Sequence, residues 1–319
     1  SRISRLPGPK GHDDPGHSVS EASDAAHCPQ QVVGTSILTG KYPSRIGLTN
    51  HSGSAGAKGP KYKLEPPAVK GNMPAEDLTL AEAFKKHGYA TAHVGKWHLQ
   101  AHHQKGTEHY PENHGFDLNV AGHKMGQPGS FLFPYQSQQH PSTNVPELED
   151  GKPGDYLTDV LTDHAIRFIE DKKEKPFFLN FWFYTVHTPL GAKPELLKKY
   201  QQKAKKLGLD KTKSDGVPLH DSFADSRQDN PTYAAMVESL DENVGRVIDT
   251  LDRLNLRDST ILLFFSDNGG LSTAYRIYRR QYGHEQLLVA HYSRWQYYTS
   301  SLALRRRIAN VEAMLQPRS

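Results

Sequence analysis

Residues 79–99 read TLAEAFKKHGYATAHVGKWHL, and this stretch predicts a helix and a strand in direct succession. It opens with the Thr-x-x-Glu pattern of a capping box, and the apolar positions that follow share one helical face as far as Gly88. Residues 89–94 then predict an extended strand. The strand runs directly into two polar residues, Lys96 and His98.

Two units further along the chain repeat the order of helix and strand. From residue 155 onward, apolar positions recur at helical spacing, and an apolar strand is predicted over residues 177–184. Pro231 marks the first turn of a long helix predicted to run through residue 254, and a strand is predicted over residues 260–265. This repetition indicates an α/β fold with a mostly parallel central sheet and helices on both faces.

Composition divides the chain into three regions. Residues 1–34 are rich in Ser, Gly, Pro, His and Asp without a helical or strand period, which is typical of an irregular segment. Residues 35–273 carry the helix–strand units and form the predicted α/β domain. Residues 274–319 are basic and rich in Arg and Tyr, and we predict a separate C-terminal segment there.

Composition also excludes several classes of protein. No run approaches the roughly 18 consecutive apolar residues that a transmembrane helix needs, and no signal peptide is visible. Cys28 is the single cysteine, which excludes a disulfide framework and a thiolate metal cluster. The net charge of +4 is mild, so the sequence does not indicate a nucleic-acid partner.

Polar residues follow each of the three predicted strands. Lys96 and His98 follow the first strand and His187 follows the second, while Asp267 and Asn268 follow the third. Because the carboxyl ends of parallel strands meet at one edge of a sheet, we expect these side chains to converge there.

The residue types suit the chemistry of an anionic substrate. In an extended chain, Lys96 and His98 would point to one side, where lysine can hold an oxyanion and histidine can exchange a proton. The oxygens of Asp267 and Asn268 are ligands that Ca²⁺ or Mg²⁺ prefers. Taken separately, each of these features also has a structural interpretation: a surface lysine with a structural histidine, an ordinary Asx turn, and a structural His187 at a loop start.

Taken together, these residues resemble the sulfatase family, within the alkaline-phosphatase-like superfamily. The matching segments stand in family order over most of the chain: LTGKYP at 38–43, TLAEAFKKHGYAT at 79–91, GKWHL at 95–99, GFD at 115–117, PFFL at 176–179, VHTP at 186–189, DENVG at 241–245 and SDNGG at 266–270. The GKWHL run is the most specific of them.

The resemblance implies a sulfuric ester hydrolase with an alkaline-phosphatase-like core, here lacking the family's C-terminal subdomain. In the family, a formylglycine made from cysteine attacks the sulfur, while a divalent cation, usually Ca²⁺, neutralises sulfate oxygens. Lys96, His98 and His187 match the catalytic, sulfate-binding positions, and Asp267 and Asn268 match half of the metal site. The implied partner is a sulfated small molecule or glycan, and the implied location is periplasmic, secreted or lysosomal.

The chain departs from the family pattern at the nucleophile and at the other half of the metal site. By spacing, the family's cysteine and arginine fall on Gln30 and Gly34, and Cys28 stands two residues too early. Asp13 and Asp14 lack the apolar strand that precedes the family's paired aspartates. Two alternatives therefore stay open: a sulfatase-like chain without turnover, and a phosphoester or phosphonate hydrolase of the same superfamily.

Overall fold

The computed structural model describes residues 30–49, 70–101, 105–210, 217–218, 222–224, 227, 229–264, 266 and 273–275. Several residues singled out in the sequence lie outside this description: Asp13, Asp14, Cys28, Asp267 and Asn268. The predictions for them therefore remain predictions.

Helices and strands alternate along the described part of the chain. The α-helices are α1 (Gln30–Thr39), α2 (Pro43–Ile46), α3 (Leu80–Lys86), α4 (Leu157–Lys172), α5 (Pro194–Lys206) and α6 (Pro231–Arg253). The strands are β1 (Ala90–Gly95), β2 (Leu118–Val120), β3 (Phe177–Trp182), β4 (Val217–Pro218), β5 (Ser222–Ala224) and β6 (Thr273–Tyr275).

The main sheet has the order β2-β1-β3, and both of its strand pairings are parallel. β1 lies in the middle, where Val94 pairs with Val120 on one side and with Phe181 on the other. From its second residue onward β1 is buried, as the central strand of a parallel sheet should be.

Helices cover both faces of this sheet. On one face, α1 and α3 pack over a hydrophobic cluster that includes Leu38, Trp97 and Phe116. On the other face, α4 and α6 pack through Ile169 and Leu251 onto the apolar side chains of β3. The predicted fold class, a mostly parallel sheet between helical layers, is therefore confirmed.

Local capping explains where two of the predicted helices begin. The Thr79 side chain accepts the amide of Glu82, and the Glu82 carboxylate accepts the amide of Thr79, which completes the capping box of α3. At α6, the Asn230 side chain caps the first turn and Pro231 occupies a first-turn position, where no amide donor is missed. Both starts follow the sequence prediction.

The strand predicted at residues 260–265 is wrong over residues 260–264, which form no ladder with any strand that the structure describes. Ile261 is 87% exposed and Leu263 is 69% exposed. Strand preference in an apolar run depends on packing against neighbouring strands, and no such neighbour lies alongside within the described residues. β3 accordingly pairs only with β1 among these residues, and five of its six residues are half-buried rather than buried.

Three further differences concern boundaries and small elements. β3 ends at residue 182 rather than 184, and α1 makes residues 30–34 helical where an irregular segment is predicted. A small antiparallel sheet of order β4-β5-β6 was not predicted, because strands of two or three residues are too short to show alternation. Within the described residues, no helix is both long enough and apolar enough to cross a membrane.

Candidate functional site

The carboxyl end of β1 places Lys96 against the end of β3. Gly95 has a φ of 97° and lies opposite Trp182, and the Lys96 amide donates to the Trp182 carbonyl at 2.8 Å. A Cβ atom at Gly95 would lie 2.1 Å from that carbonyl oxygen, so only glycine allows the two strand ends to meet this closely. Lys96 itself is only 6% exposed.

Trp97 anchors this strand end in the core. Its indole Nε1 donates to the His109 carbonyl at 2.6 Å, and its ring is fully buried against His93 and Phe116 with edge-on geometry. An aromatic ring that is packed and hydrogen-bonded in this way fixes the backbone on both sides of it. Lys96 and His98 are therefore the two neighbours of a residue whose backbone position is fixed by packing.

His93 supports the same turn from beneath. The Asn180 amide donates to His93 Nδ1 at 3.0 Å, and His93 Nε2 donates to the Gly95 carbonyl at 3.2 Å. Burial lowers the pKa of His93 to about 3, so the ring is neutral and its proton sits on Nε2. The hydrogen bond to the Gly95 carbonyl holds the residue that precedes Lys96.

His98 departs from the expected extended backbone. Its φ is 59°, in the left-handed region, and its amide donates to the His123 carbonyl at 2.9 Å. Its ring packs on Gly126, where an added Cβ would lie 2.4 Å from His98 Nδ1. The position of His98 is therefore set by the loop at residues 121–126, and the assumption that the backbone stays extended as far as His98 is wrong.

His187 lies in the turn that follows β3. Its amide donates to the Tyr184 carbonyl at 3.0 Å, and its Nδ1 donates to the Thr188 carbonyl at 2.8 Å. Burial, and after it the positive charge of Lys96, together lower the pKa of His187 to about 4. His187 keeps exposed surface, so solvent screens part of the burial effect and the neighbouring charge of Lys96 adds to what remains.

Lys96 and His187 are thus brought together, as the sequence predicts for residues after parallel strands, and His98 is held two residues beyond Lys96. The loop carrying His187 is tied to the start of α4, where the hydroxyls of Thr158 and Thr185 lie 2.6 Å apart. The neutral His187 ring offers Nε2 as an acceptor, because Nδ1 carries the proton. Beside it, Lys96 supplies the positive charge that an oxyanion needs.

The loop residues His123 and Gly126 were missed by the sequence reasoning. His123 is buried against Tyr184, at a ring distance of 6.3 Å, and Gly126 gives the His98 ring its space. The only signal for them is two glycines four residues apart with a histidine between, which is too common to single out a site.

The metal half of the predicted site lies outside the described residues. Asp267 and Asn268 are its predicted ligands, and within the described part of the chain no three His, Cys, Asp or Glu side chains are grouped to hold an ion. Because Ca²⁺ takes six or more oxygen ligands, Asp267 and Asn268 would supply only part of its coordination.

The residue that corresponds to the family's nucleophile is at the start of α1. Gln30 is the first residue of this helix, and four residues later Gly34 packs against Trp182. A Cβ at Gly34 would lie 2.9 Å from the Trp182 ring, which leaves no room there for the arginine of the family motif. The glycine that replaces the family's arginine is therefore also a residue whose close packing against Trp182 requires a small side chain.

Comparison with known proteins gives one consistent family. The sulfatase family model matches residues 25–294. The chain is similar to an arylsulfatase of Hemicentrotus pulcherrimus, at 30% identity over 246 residues covering 74% of this chain and 37% of that protein. An ulvan-active sulfatase of Formosa agariphila is 28% identical over 75% of this chain and 41% of its own length. N-acetylgalactosamine-6-sulfatase of Mus musculus is 27% identical over 73% of this chain and 40% of its own length.

The chain therefore spans about two fifths of the length of the curated relatives it matches. Among solved structures, it resembles the Bacteroides fragilis protein yidJ, assigned to the sulfatases, with a TM-score of 0.51 at 19% identity. That likeness covers 76% of this chain and 52% of the other, and it supports the fold alone. The family match, the relatives and the fold agree, and the chain belongs to the sulfatase family.

Proposed function

We propose that this chain is a sulfuric ester hydrolase that holds the sulfuryl group of its substrate at Lys96, His98 and His187. The observation that carries the proposal is the nearly buried Lys96 ammonium, within electrostatic range of His187 at the carboxyl edge of the sheet. A cation held in a site of low exposure stabilises the negative charge on sulfuryl oxygens more strongly than a cation in water.

The three side chains divide the work in this proposal. Lys96 neutralises a peripheral sulfate oxygen. His187 takes up a proton as the anion enters, since added negative charge offsets the effect of Lys96, and it then donates from Nε2. His98, oriented by the loop at residues 121–126, supplies a proton to the leaving oxygen while a water molecule adds to the sulfur, so that the alcohol and hydrogen sulfate are released.

We further propose Ca²⁺ as the cofactor, with Mg²⁺ as its substitute, and Asp267 and Asn268 as two of its ligands. The ion would neutralise sulfate oxygens when bound. Formylglycine does not fit this chain, because Gln30 stands at its position and a glutamine amide is not a usable nucleophile. No step of the proposed chemistry is therefore assigned to either group.

A sulfated glycan is the proposed substrate class, since two relatives are named for an ulvan activity and for an N-acetylgalactosamine sulfate. The proposed location is the periplasm, the exterior of the cell or the lysosome, where such polymers are met.

A direct test is the release of 4-nitrophenol from 4-nitrophenyl sulfate with added Ca²⁺, compared with the phosphate ester. We expect turnover of the sulfate ester and its loss, by about 100-fold or more, in Lys96→Met. The Lys172→Met variant, at the far end of α4, is the matched control. Preference for the phosphate ester would instead support the phosphoester hydrolase alternative.

One observation favours a second candidate, a chain that binds sulfate esters without turnover. Gln30 replaces the nucleophile, and the packing of Gly34 on Trp182 excludes the arginine that accompanies it in the family. For this candidate we expect no 4-nitrophenol, but saturable binding of 4-nitrophenyl sulfate that weakens in Lys96→Met and not in Lys172→Met.

A further inference from the structure

The helix α5 carries an unusual concentration of positive charge. Its sequence is PELLKKYQQKAKK, with five lysines against one glutamate. Leu196, Tyr200 and Ala204 are buried and define the inner side of the helix. At 100° per residue, Lys198 and Lys205 lie opposite this side, and Lys206 flanks them.

Three of these lysines form a solvated surface that we term the α5 basic face: Lys198, Lys205 and Lys206. All three are exposed, and none has an acidic partner among the described residues. By contrast, Lys199 pairs with Glu238 at 2.5 Å and Lys193 pairs with Asp159 at 2.8 Å. Lys193 and Lys199 are therefore neutralised by acidic groups, whereas the three lysines of the α5 basic face are not paired with any acid among the described residues.

Helix stability explains only part of this pattern. Lysines in the last turn interact favourably with the helix dipole, which accounts for Lys205 and Lys206. Lys198 lies in the first half of the helix, where the dipole gives it no such advantage. Lys198 and Lys205 are seven residues apart, so they lie on one side of the helix about 10 Å apart along its axis.

The contacts of α6 relate the helices to the edge of the sheet. Asn243 donates to Asp159 at 2.6 Å and Arg253 pairs with Glu170 at 2.5 Å, so α6 runs parallel to α4. The start of α4 lies at the carboxyl ends of the strands, where Thr158 meets Thr185. The part of α6 before Asn243 therefore extends beyond that edge.

α5 extends beyond the same edge. Lys193 contacts Glu242 at 3.3 Å and Lys199 contacts Glu238 at 2.5 Å, so α5 runs antiparallel to α6 and rises from the level of the strand ends. Over its 13 residues it spans about 20 Å. The α5 basic face thus stands on the side of the sheet where Lys96 and His187 lie.

We propose that the α5 basic face is an exosite for a sulfated polysaccharide, which binds along the helix while one sulfate ester occupies the site at Lys96. The proposal rests on the proposed function for its choice of polyanion, since a chain that acts on sulfate esters meets repeating negative charge on such a polymer. Lysine ammonium groups bind sulfate as point charges, without demanding a single geometry, which suits an extended and flexible chain.

The test measures binding of fluorescent dextran sulfate at low salt to the full chain and to the triple variant Lys198→Gln, Lys205→Gln, Lys206→Gln. We expect the triple variant to bind dextran sulfate about 10-fold more weakly, because it lacks three exposed lysine–sulfate ion pairs. The difference between the two proteins should become smaller as the salt concentration rises. Unsulfated dextran should not bind. The matched control removes three charges at the opposite edge of the sheet, by Lys172→Gln, Lys173→Gln and Lys175→Gln, and should change affinity by less than about 2-fold.

An equal loss in both triple variants would overturn the proposal, since net charge alone would then explain binding. Binding of polydeoxythymidine that equals dextran sulfate in affinity and in sensitivity to the variants would also overturn it. Failure of the proposed function is distinguishable, because it appears as loss of 4-nitrophenyl sulfate hydrolysis and binding at Lys96. The α5 triple variant should leave binding of that small ester unchanged.

Discussion

At the scale of single residues, the candidate site depends on the proximity of Lys96 and His187. The two belong to different strands, and their proximity follows from the parallel pairing of β1 with β3 and from the hydrogen bond between the Lys96 amide and the Trp182 carbonyl. Lys96 and His187 could be predicted from sequence because each follows a strand. The turn at His98 could not, because it depends on a loop 25 residues further along the chain.

The first prediction concerns the charge between these two residues. In Lys96→Gln the pKa of His187 should rise from about 4, by on the order of 1, because the cation that opposes its protonation is gone. An NMR titration of the His187 ring measures this directly. The Lys172→Gln variant, remote from the ring, should leave that pKa in place, and an unchanged pKa in Lys96→Gln would mean that burial alone sets it.

At the scale of elements, the sequence predicts best the helices whose ends carry strong capping signals. The capping box of α3 and the Asn-Pro start of α6 place both helices correctly, because these signals act within one turn. The strand prediction at residues 260–265 fails for the opposite reason. An apolar run becomes a strand only when another strand lies beside it, and the neighbouring strand is formed by residues far away in the sequence.

The second prediction compares glycines in two helices. Gly34→Ala in α1 should destabilise the fold by about 1–3 kcal/mol, because the new Cβ would lie 2.9 Å from the Trp182 ring. Gly245→Ala in α6 is the matched control, since nothing lies within 4 Å of the new Cβ there. It should stabilise the fold by about 0.5–1 kcal/mol through helix propensity. Urea unfolding measures both, and a stabilised Gly34→Ala would contradict the packing described for α1.

At the scale of the whole molecule, buried histidines link stability to pH. Burial lowers the pKa of His93 to about 3 and that of His114 to about 4, against about 6.5 in an unfolded chain. Between those values the unfolded state binds more protons than the folded state. The contribution of these two histidines to the free energy of unfolding is therefore fully present above about pH 6.5. It falls as the pH falls, by up to about 1.4 kcal/mol per pH unit for each ring.

The third prediction follows from that linkage. The free energy of unfolding should drop between pH 7 and pH 5 in the unaltered chain, and the drop should be smaller in His114→Leu, which has one fewer proton to take up on unfolding. His140→Leu, a change at an exposed histidine, is the control. Urea unfolding at the two pH values gives the comparison, and an equal drop in all three proteins would show that His114 does not contribute.

The position of the apolar run at residues 260–264 also bears on how this chain behaves in concentrated solution. With Ile261 and Leu263 on the surface, it presents a short β-prone segment to other molecules. Segments of this kind favour precipitation through edge-to-edge association as the protein concentration rises. Dilute, cool conditions or a highly charged fusion carrier should therefore keep the chain in solution long enough for the measurements above.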